Sequence, residues 1–191
     1  MSITVEQEVK FRLTVREDGE SRLAKLGARL TEPRHFESNQ LFDSETFRVR
    51  QRGAALRLRR VGDTAWLTFK GPHHGSGRIK GRREIETSVG DANALEAILE
   101  ALGFQERFRY EKYRTIYRWK NVGLCLDETP IGDFIEIESS PEEIAEAAAG
   151  LELDMANALV STYPRLYELY RQESPDAPPF MIFPEDSSST A

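Results

Sequence analysis

Residues 3–13 read Ile3-Thr4-Val5-Glu6-Gln7-Glu8-Val9-Lys10-Phe11-Arg12-Leu13, and the way this stretch divides its charges decides the fold. Its alternation is that of a half-buried strand. Ile3, Val5, Val9, Phe11 and Leu13 fall on one face, and Thr4, Glu6, Glu8, Lys10 and Arg12 on the other. One strand of an antiparallel sheet with a solvated face would look the same. The reading therefore turns on whether other strands repeat the pattern.

They do. Segments with a period of two recur at 35–43, 47–50, 55–61, 64–70, 78–88, 106–119, 122–128 and 132–138. Arg57 and Arg59 lie opposite Leu56 and Leu58, and Thr68 and Lys70 opposite Leu67 and Phe69. Arg82, Glu84 and Glu86 share a face, as do Lys112 and Arg114, while Glu136 and Glu138 alternate with Ile135 and Ile137, shortly after Asp127. Gly53-Ala54, Gly62-Asp63, Asn121-Val122-Gly123 and Pro130-Ile131-Gly132 have hairpin chemistry, which predicts antiparallel meanders. A solvated face usually mixes in Ser, Thr, Gln and Asn; here the units are E-x-E, R-x-R and K-x-R. The pattern predicts an α+β protein: a curled sheet or barrel with helices over its apolar outside and a charged cavity within. Helical spacing is expected at 17–30, 91–102 and 140–149, and in a stretch that includes Leu159 and, after Pro164, Leu166, Tyr167, Leu169 and Tyr170.

Bulk properties narrow the class. A chain of 191 residues suits one domain with one core, and no apolar run approaches the roughly 18 residues of a membrane span. The single Cys125 forms no internal disulfide and no secretory leader is visible, so a reducing cytoplasm is the expected setting. A net charge of −6 argues against nucleic acid or a membrane surface as partner. We expect one domain over residues 1–172 and a largely disordered Pro/Ser/acid-rich tail over 173–191, with Phe180-Met181-Ile182-Phe183 an apolar patch inside it. A homodimer is compatible with these features.

So many charges in one cavity need a ligand or ions to offset their desolvation. Lys10, Arg12, Arg57, Arg59, Lys70, Arg82, Lys112 and Arg114 offer ammonium groups and guanidinium forks matched to phosphate oxygens, which favours a polyphosphate. Glu6, Glu8, Glu84, Glu86, Asp127, Glu136 and Glu138 would repel such a ligand unless hard cations, Mg2+ or Mn2+, bridge carboxylate to phosphate.

In these units the chain resembles the CYTH superfamily, the triphosphate tunnel metalloenzymes, which include class IV adenylyl cyclases, thiamine triphosphatases and inorganic triphosphatases. The resemblance spans about residues 3–170 and rests on an ordered set: Glu6-Gln7-Glu8-Val9-Lys10, Leu56-Arg57-Leu58-Arg59, Leu67-Thr68-Phe69-Lys70-Gly71-Pro72, Arg83-Glu84-Ile85-Glu86, Glu111-Lys112-Tyr113-Arg114, Leu126-Asp127-Glu128 and Gly132-Asp133-Phe134-Ile135-Glu136-Ile137-Glu138. It implies an eight-stranded antiparallel barrel. It also implies Glu6, Glu8 and Glu138 as metal ligands supported by Asp127 and Glu136. The phosphate binders would be Lys10, Arg57, Arg59, Lys70, Lys112 and Arg114, to which the charge pattern adds Arg82. Lys10, Glu84 and Glu86 are the residues expected at the reacting group. The Leu41-Phe42-Asp43 unit has leucine where some thiamine triphosphatases place tyrosine, and His35-Phe36-Glu37-Ser38-Asn39 differs from the form associated with class IV cyclases.

The expected function is metal-dependent hydrolysis of a triphosphate. The alternatives are a class IV adenylyl cyclase and a non-catalytic polyphosphate-binding module. Other conspicuous residues read more plainly: His73-His74 as part of a solvated lid, Cys125 as a packed thiol, Trp66 as packing or mouth lining, and Arg48, Arg50 and Arg52 as a solvated turn or an extension of the basic face.

Overall fold

The computed structural model describes residues 2–74 and 81–184, apart from the side chains of residues 2–6 and 74. Its strands are β1 Ser2–Arg12, β2 Arg29–Ser44, β3 Ala55–Val61, β4 Thr64–His74, β5 Gly81–Val89, β6 Phe104–Trp119, β7 Val122–Thr129 and β8 Gly132–Glu138. Its helices are α1 Arg16–Leu26, α2 Arg48–Gln51, α3 Ala92–Ala101, α4 Pro141–Gly150 and α5 Tyr163–Glu173. The strands close into a barrel in the order β1-β5-β4-β3-β2-β6-β7-β8, with every pair antiparallel. Two meanders, β2 to β5 and β6 to β8, are joined by the β2–β6 pair and shut by β1, which lies between β5 and β8.

Closure follows from the two-faced strands. Val9, Phe11, Leu124, Leu126, Ile135 and Ile137 point outward and are buried under Leu23 of α1 and Ile144, Ala147 and Ala148 of α4. On the opposite wall Phe42, Leu58 and Ala65 meet Leu99 of α3. Asp91 caps α3 by accepting the N–H groups of Asn93 and Ala94, and Ser140 caps α4 with Pro141 in its first turn. Gly19 lets α1 sit against the barrel, because a Cβ there would stand 2.6 Å from Leu13 Cδ1 and 2.8 Å from Leu126 Cδ1. Among the described residues no helix is long and apolar enough to cross a membrane.

The structure departs from the sequence expectation in several places; His73 and His74, expected in a solvated lid, close strand β4. The first helix ends at Gly27, whose left-handed backbone (φ 75°) stops it, so Leu30 lies in β2. Residues 48–51 form the short helix α2 where a strand is expected at 47–50. The Asp43 carboxylate accepts the N–H groups of Ser44, Val49 and Arg50 at 2.7, 2.9 and 2.8 Å and folds the segment back. Leu159 is extended, exchanging backbone hydrogen bonds with Lys10 in both directions (2.9 and 2.7 Å) along the part of β1 that β5 does not cover. Finally, part of the expected tail is docked. Met181, 0% exposed, donates its N–H to Arg109 O and accepts from Glu111 N, filling a stretch of β6 that β7 leaves unpaired. Residues 185–191 and 75–80 lie outside the described residues, the latter including the start of the strand expected at 78–88.

One end of the barrel is shut. Leu41, Phe108, Tyr110 and Phe134 follow the inward alternation of their strands, yet are apolar and pack with Tyr163, Leu166 and Tyr167 of α5 and with Met181. The lumen is therefore blind on that side.

Candidate active site in the barrel lumen

Strand register carries the charged residues to one interior. Lys10 pairs with Glu136 and Glu8 with Glu138 across β1 and β8; Arg114 pairs with Asp127, Glu37 with Lys112, Asn39 with Arg59, Arg57 with Thr68, and Lys70 with Glu84. Residues paired this way point to the same face. Of the expected site residues, only Glu6 cannot be located by its side chain; its backbone pairs with Arg82.

The deepest cluster surrounds Asp127, which is 0% exposed. Its Oδ1 accepts Arg114 Nε at 2.6 Å, and its Oδ2 accepts Arg114 Nη2 at 2.6 Å, Lys112 Nζ at 2.9 Å and the Tyr163 hydroxyl at 2.7 Å. Arg114 Nη2 also donates to Glu136 at 2.5 Å, and Lys10 Nζ lies 2.6 Å from Glu8 and 3.3 Å from Glu136. Asp127 and Glu136, expected near a metal, thus turn their oxygens to protein cations.

Burial alone would favour the neutral forms of Lys10, Lys112 and Glu136, but their neighbours outweigh it. It pulls the Lys10 ammonium down, while Glu136 and Glu8 bring it to a net value above the usual lysine range. Lys112 is likewise depressed by burial and by Arg114, yet Asp127, Glu37 and Glu136 leave it raised. Burial pushes the Glu136 carboxyl up, but Arg114, Lys10 and Lys112 hold it well below the usual carboxylate range. Lys10, Lys112 and Glu136 are therefore held in their charged forms by one another's neighbourhood.

A second cluster joins β3, β4 and β5. Glu86 accepts from the Thr68 hydroxyl at 2.7 Å and lies 3.4 Å from Arg59 and 3.7 Å from Arg57. The Arg59 guanidinium sits 5.2 Å above the half-buried Trp66 ring, so Trp66 lines the lumen. A third cluster has Glu84 at 2.5 Å from Lys70 and 3.2 Å from Arg82. Beside β1, a pocket of about 150 Å³ lined by Glu8, Lys10, His73, Arg82, Leu159 and Thr162 reaches these charges.

Two residues that the structure brings into the lumen cluster were not among the expected site residues. Glu37, 2% exposed, lies 3.4 Å from His35, 3.6 Å from Lys112 and 3.8 Å from Arg59. It belonged to a strand expected from its alternation, but a lone acid between His35 and Asn39 does not match the paired-charge units. Tyr163 comes from outside the barrel strands altogether, and nothing local marks it. Cys125 faces the same interior, with its thiol pushed up to about 12 by burial and by Asp127 and Glu136, against Arg114 and Lys112. It is protonated and unsuited to nucleophilic attack. Arg48, Arg50 and Arg52 are exposed on and beside α2, where Arg50 pairs with Glu168.

Among the described residues, no three His, Cys, Asp or Glu side chains form a group able to hold a metal ion. The expected trio of Glu6, Glu8 and Glu138 includes a side chain outside that set. What the described part contributes is a pair of carboxylates directly opposite one another, Glu8 and Glu138. Like charges in that position destabilise a sheet, and their hard oxygens suit a divalent cation.

Residues 5–167 match the family model described as the CYTH domain. A protein of Methanocaldococcus jannaschii, named as a candidate adenylate cyclase, is 29% identical over 149 residues, which is 78% of this chain and 84% of that protein. A solved structure from Vibrio parahaemolyticus, also described as a candidate adenylate cyclase, superposes with a TM-score of 0.74 at 18% identity, covering 86% of this chain and 98% of the other. A third, from Hippeastrum, is described as a candidate adenylyl cyclase that reveals a dominant triphosphatase activity. It has a TM-score of 0.66 at 18% identity, with 86% of this chain and 96% of that one covered. At 18% identity the last two are likenesses of fold.

Proposed function

The chain belongs to the CYTH family, and from that premise we propose that it is a divalent-metal-dependent phosphohydrolase acting on a triphosphate held in the lumen. The observation that carries this reading is the convergence of Lys10, Arg57, Arg59, Lys70, Arg82, Lys112 and Arg114 on a blind cavity, with carboxylate partners. An entering phosphate chain takes over ion pairs that already exist, so the cations keep their charge as their partners change. The M. jannaschii relative's name points to cyclisation of ATP, a second reading in which the ribose 3'-hydroxyl replaces water as the attacking group.

Glu8 and Glu138, directly opposite one another, with Glu6 two residues from Glu8, would hold the cation, while Asp127 and Glu136 lie deeper among Arg114, Lys112 and Lys10 and would support it. When bound, such a cation polarises a phosphoryl group and lowers the pKa of a bound water. The chain's own residues do the rest. Lys10, held charged between Glu8 and Glu136, would bind a phosphate oxygen. Arg57, Arg59 and Lys112 neutralise the charge that develops on the bridging oxygen as it leaves. Glu84 and Glu86 are bonded to phosphate-binding cations, and we assign them the orientation of Lys70 and Arg82 and of Arg57 and Arg59, respectively.

The test is incubation with Mg2+ or Mn2+ and ATP, inorganic triphosphate or thiamine triphosphate, with separate detection of orthophosphate, pyrophosphate and cyclic AMP. Metal-dependent orthophosphate release is expected, and cyclic AMP with pyrophosphate would overturn the hydrolase reading. Glu8→Gln should lose activity through the metal, with partial recovery at higher metal concentration, and Arg59→Ala should lose it through a raised KM. Unchanged activity in both would remove the lumen from the chemistry. Binding of inorganic triphosphate without turnover would favour a binding module.

A further inference from the structure

Tyr163 is the first residue of α5, yet its hydroxyl ends inside the lumen. It is buried, and it donates to Asp127 Oδ2 at 2.7 Å. Its ring packs against Phe134 and Tyr110 with centroid separations of 5.6 and 5.8 Å. The same ring lies 5.4 Å from the Lys10 ammonium and 5.2 Å from that of Lys112, within cation–π range of both. One side chain from outside the barrel thus touches a carboxylate and two lysines assigned to phosphate.

Its delivery is specific as well. Leu159, four residues earlier, is bonded to the backbone of Lys10 itself, and Pro164 fixes the first turn of the helix that follows. Burial, Asp127 and Glu136 push the phenol well above its ordinary value, so it stays neutral and its proton remains on the bond to Asp127. Without that donor, Asp127 would still accept Arg114 and Lys112, but its position would no longer be fixed from the blind end.

We propose that Tyr163 is a positioning residue of the lumen: its hydroxyl fixes Asp127, and through it Lys112 and Arg114, while its ring sets the spacing of Lys10 and Lys112 for adjacent phosphate groups. The second clause rests on the phosphohydrolase reading; the first does not. The residue touches no reacting atom. Its effect falls on substrate binding, which needs two ammonium groups at a fixed separation.

The experiment compares the wild-type chain with Tyr163→Phe, which keeps the ring, and Tyr163→Leu, which loses both ring and hydroxyl. Side-chain 15N NMR of the lysine ammonium groups reads positioning without substrate, and calorimetric titration with inorganic triphosphate reads the consequence. Tyr163→Phe is expected to shift the Lys112 ammonium signal, speed its hydrogen exchange and weaken triphosphate binding about tenfold. Tyr163→Leu should also shift the Lys10 signal and weaken binding further. Both variants should keep wild-type far-ultraviolet circular dichroism. Ammonium signals identical to wild type in Tyr163→Phe would overturn the inference. If the wild-type chain binds no triphosphate, the phosphohydrolase reading falls, while the ammonium signals still decide whether Tyr163 positions the lysines.

Discussion

Replacing Glu37 by Gln keeps its shape and removes a buried negative charge. Glu37 lies 3.6 Å from the Lys112 ammonium and 3.8 Å from Arg59. At an effective dielectric of about 20, each contact represents about 4–5 kcal/mol of gross attraction. Most of this offsets the cost of burying the charges, and removing one member of a buried pair typically costs about 3–5 kcal/mol. Lys112 keeps Asp127 and Arg59 keeps Glu86, so the loss should fall at the low end, about 3 kcal/mol at pH 7. The pH dependence has a definite sign. Burial would raise the Glu37 carboxyl, but Lys112, Arg114, His35 and Arg59 hold it well below the usual range. Its contribution is therefore complete above the unfolded value of about 4.3 and fades as pH falls towards the folded value, by about 1.4 kcal/mol per unit. Urea denaturation of wild type and Glu37→Gln should show a gap of about 3 kcal/mol at pH 7 and near 1 kcal/mol at pH 3. A gap below about 1 kcal/mol at pH 7, or one that does not narrow in acid, would refute the account of Glu37 as a buried, ionised partner.

Two further outcomes follow from named contacts. Cys125, with its thiol pushed up to about 12, should react with iodoacetamide at pH 8 at least about 100-fold more slowly in the native protein than in urea, as read by mass spectrometry. Equal rates would mean that the thiol is not held protonated by its surroundings. Met181→Ala should cost about 2–5 kcal/mol in denaturant unfolding, because a fully buried side chain is removed from the apolar cluster at the blind end. A loss below about 0.5 kcal/mol would show that the docked segment contributes nothing to the barrel.

The barrel was legible because its strands have chemically opposite faces. Segments 55–61 and 132–138 form β3 and β8 as read, and the inward positions of Lys10, Arg57, Arg59, Lys70, Lys112, Arg114 and Glu136 follow from counting by two. What that count does not supply is the partner across the lumen. Asp127 and Glu136 read as metal ligands because acidic residues near a phosphate site suggest a cation; their engagement by Arg114 and Lys112 depends on the register of β6, β7 and β8. The segment 47–50 alternates, but the Asp43 carboxylate holds three backbone N–H groups and wins over the alternation. Tyr163 and Met181 act through contacts with residues far away in sequence, which local periodicity does not encode.

The place of β1 between β5 and β8 has a consequence for how the protein is made. The first of the eight strands in sequence order is the stave that seals the cask. Its Gln7 side can pair with β5 once that strand is made, but Glu8 meets Glu138 only when β8 is made as well. Until then β1 keeps a bare edge, open to mispairing, and closure over such a span is slow. A product cut short before β8 would lack both the seal and the facing carboxylates. The pair of acids proposed to receive a cation thus forms only when the first and the last strand of the barrel meet, which couples competence for chemistry to closure of the barrel.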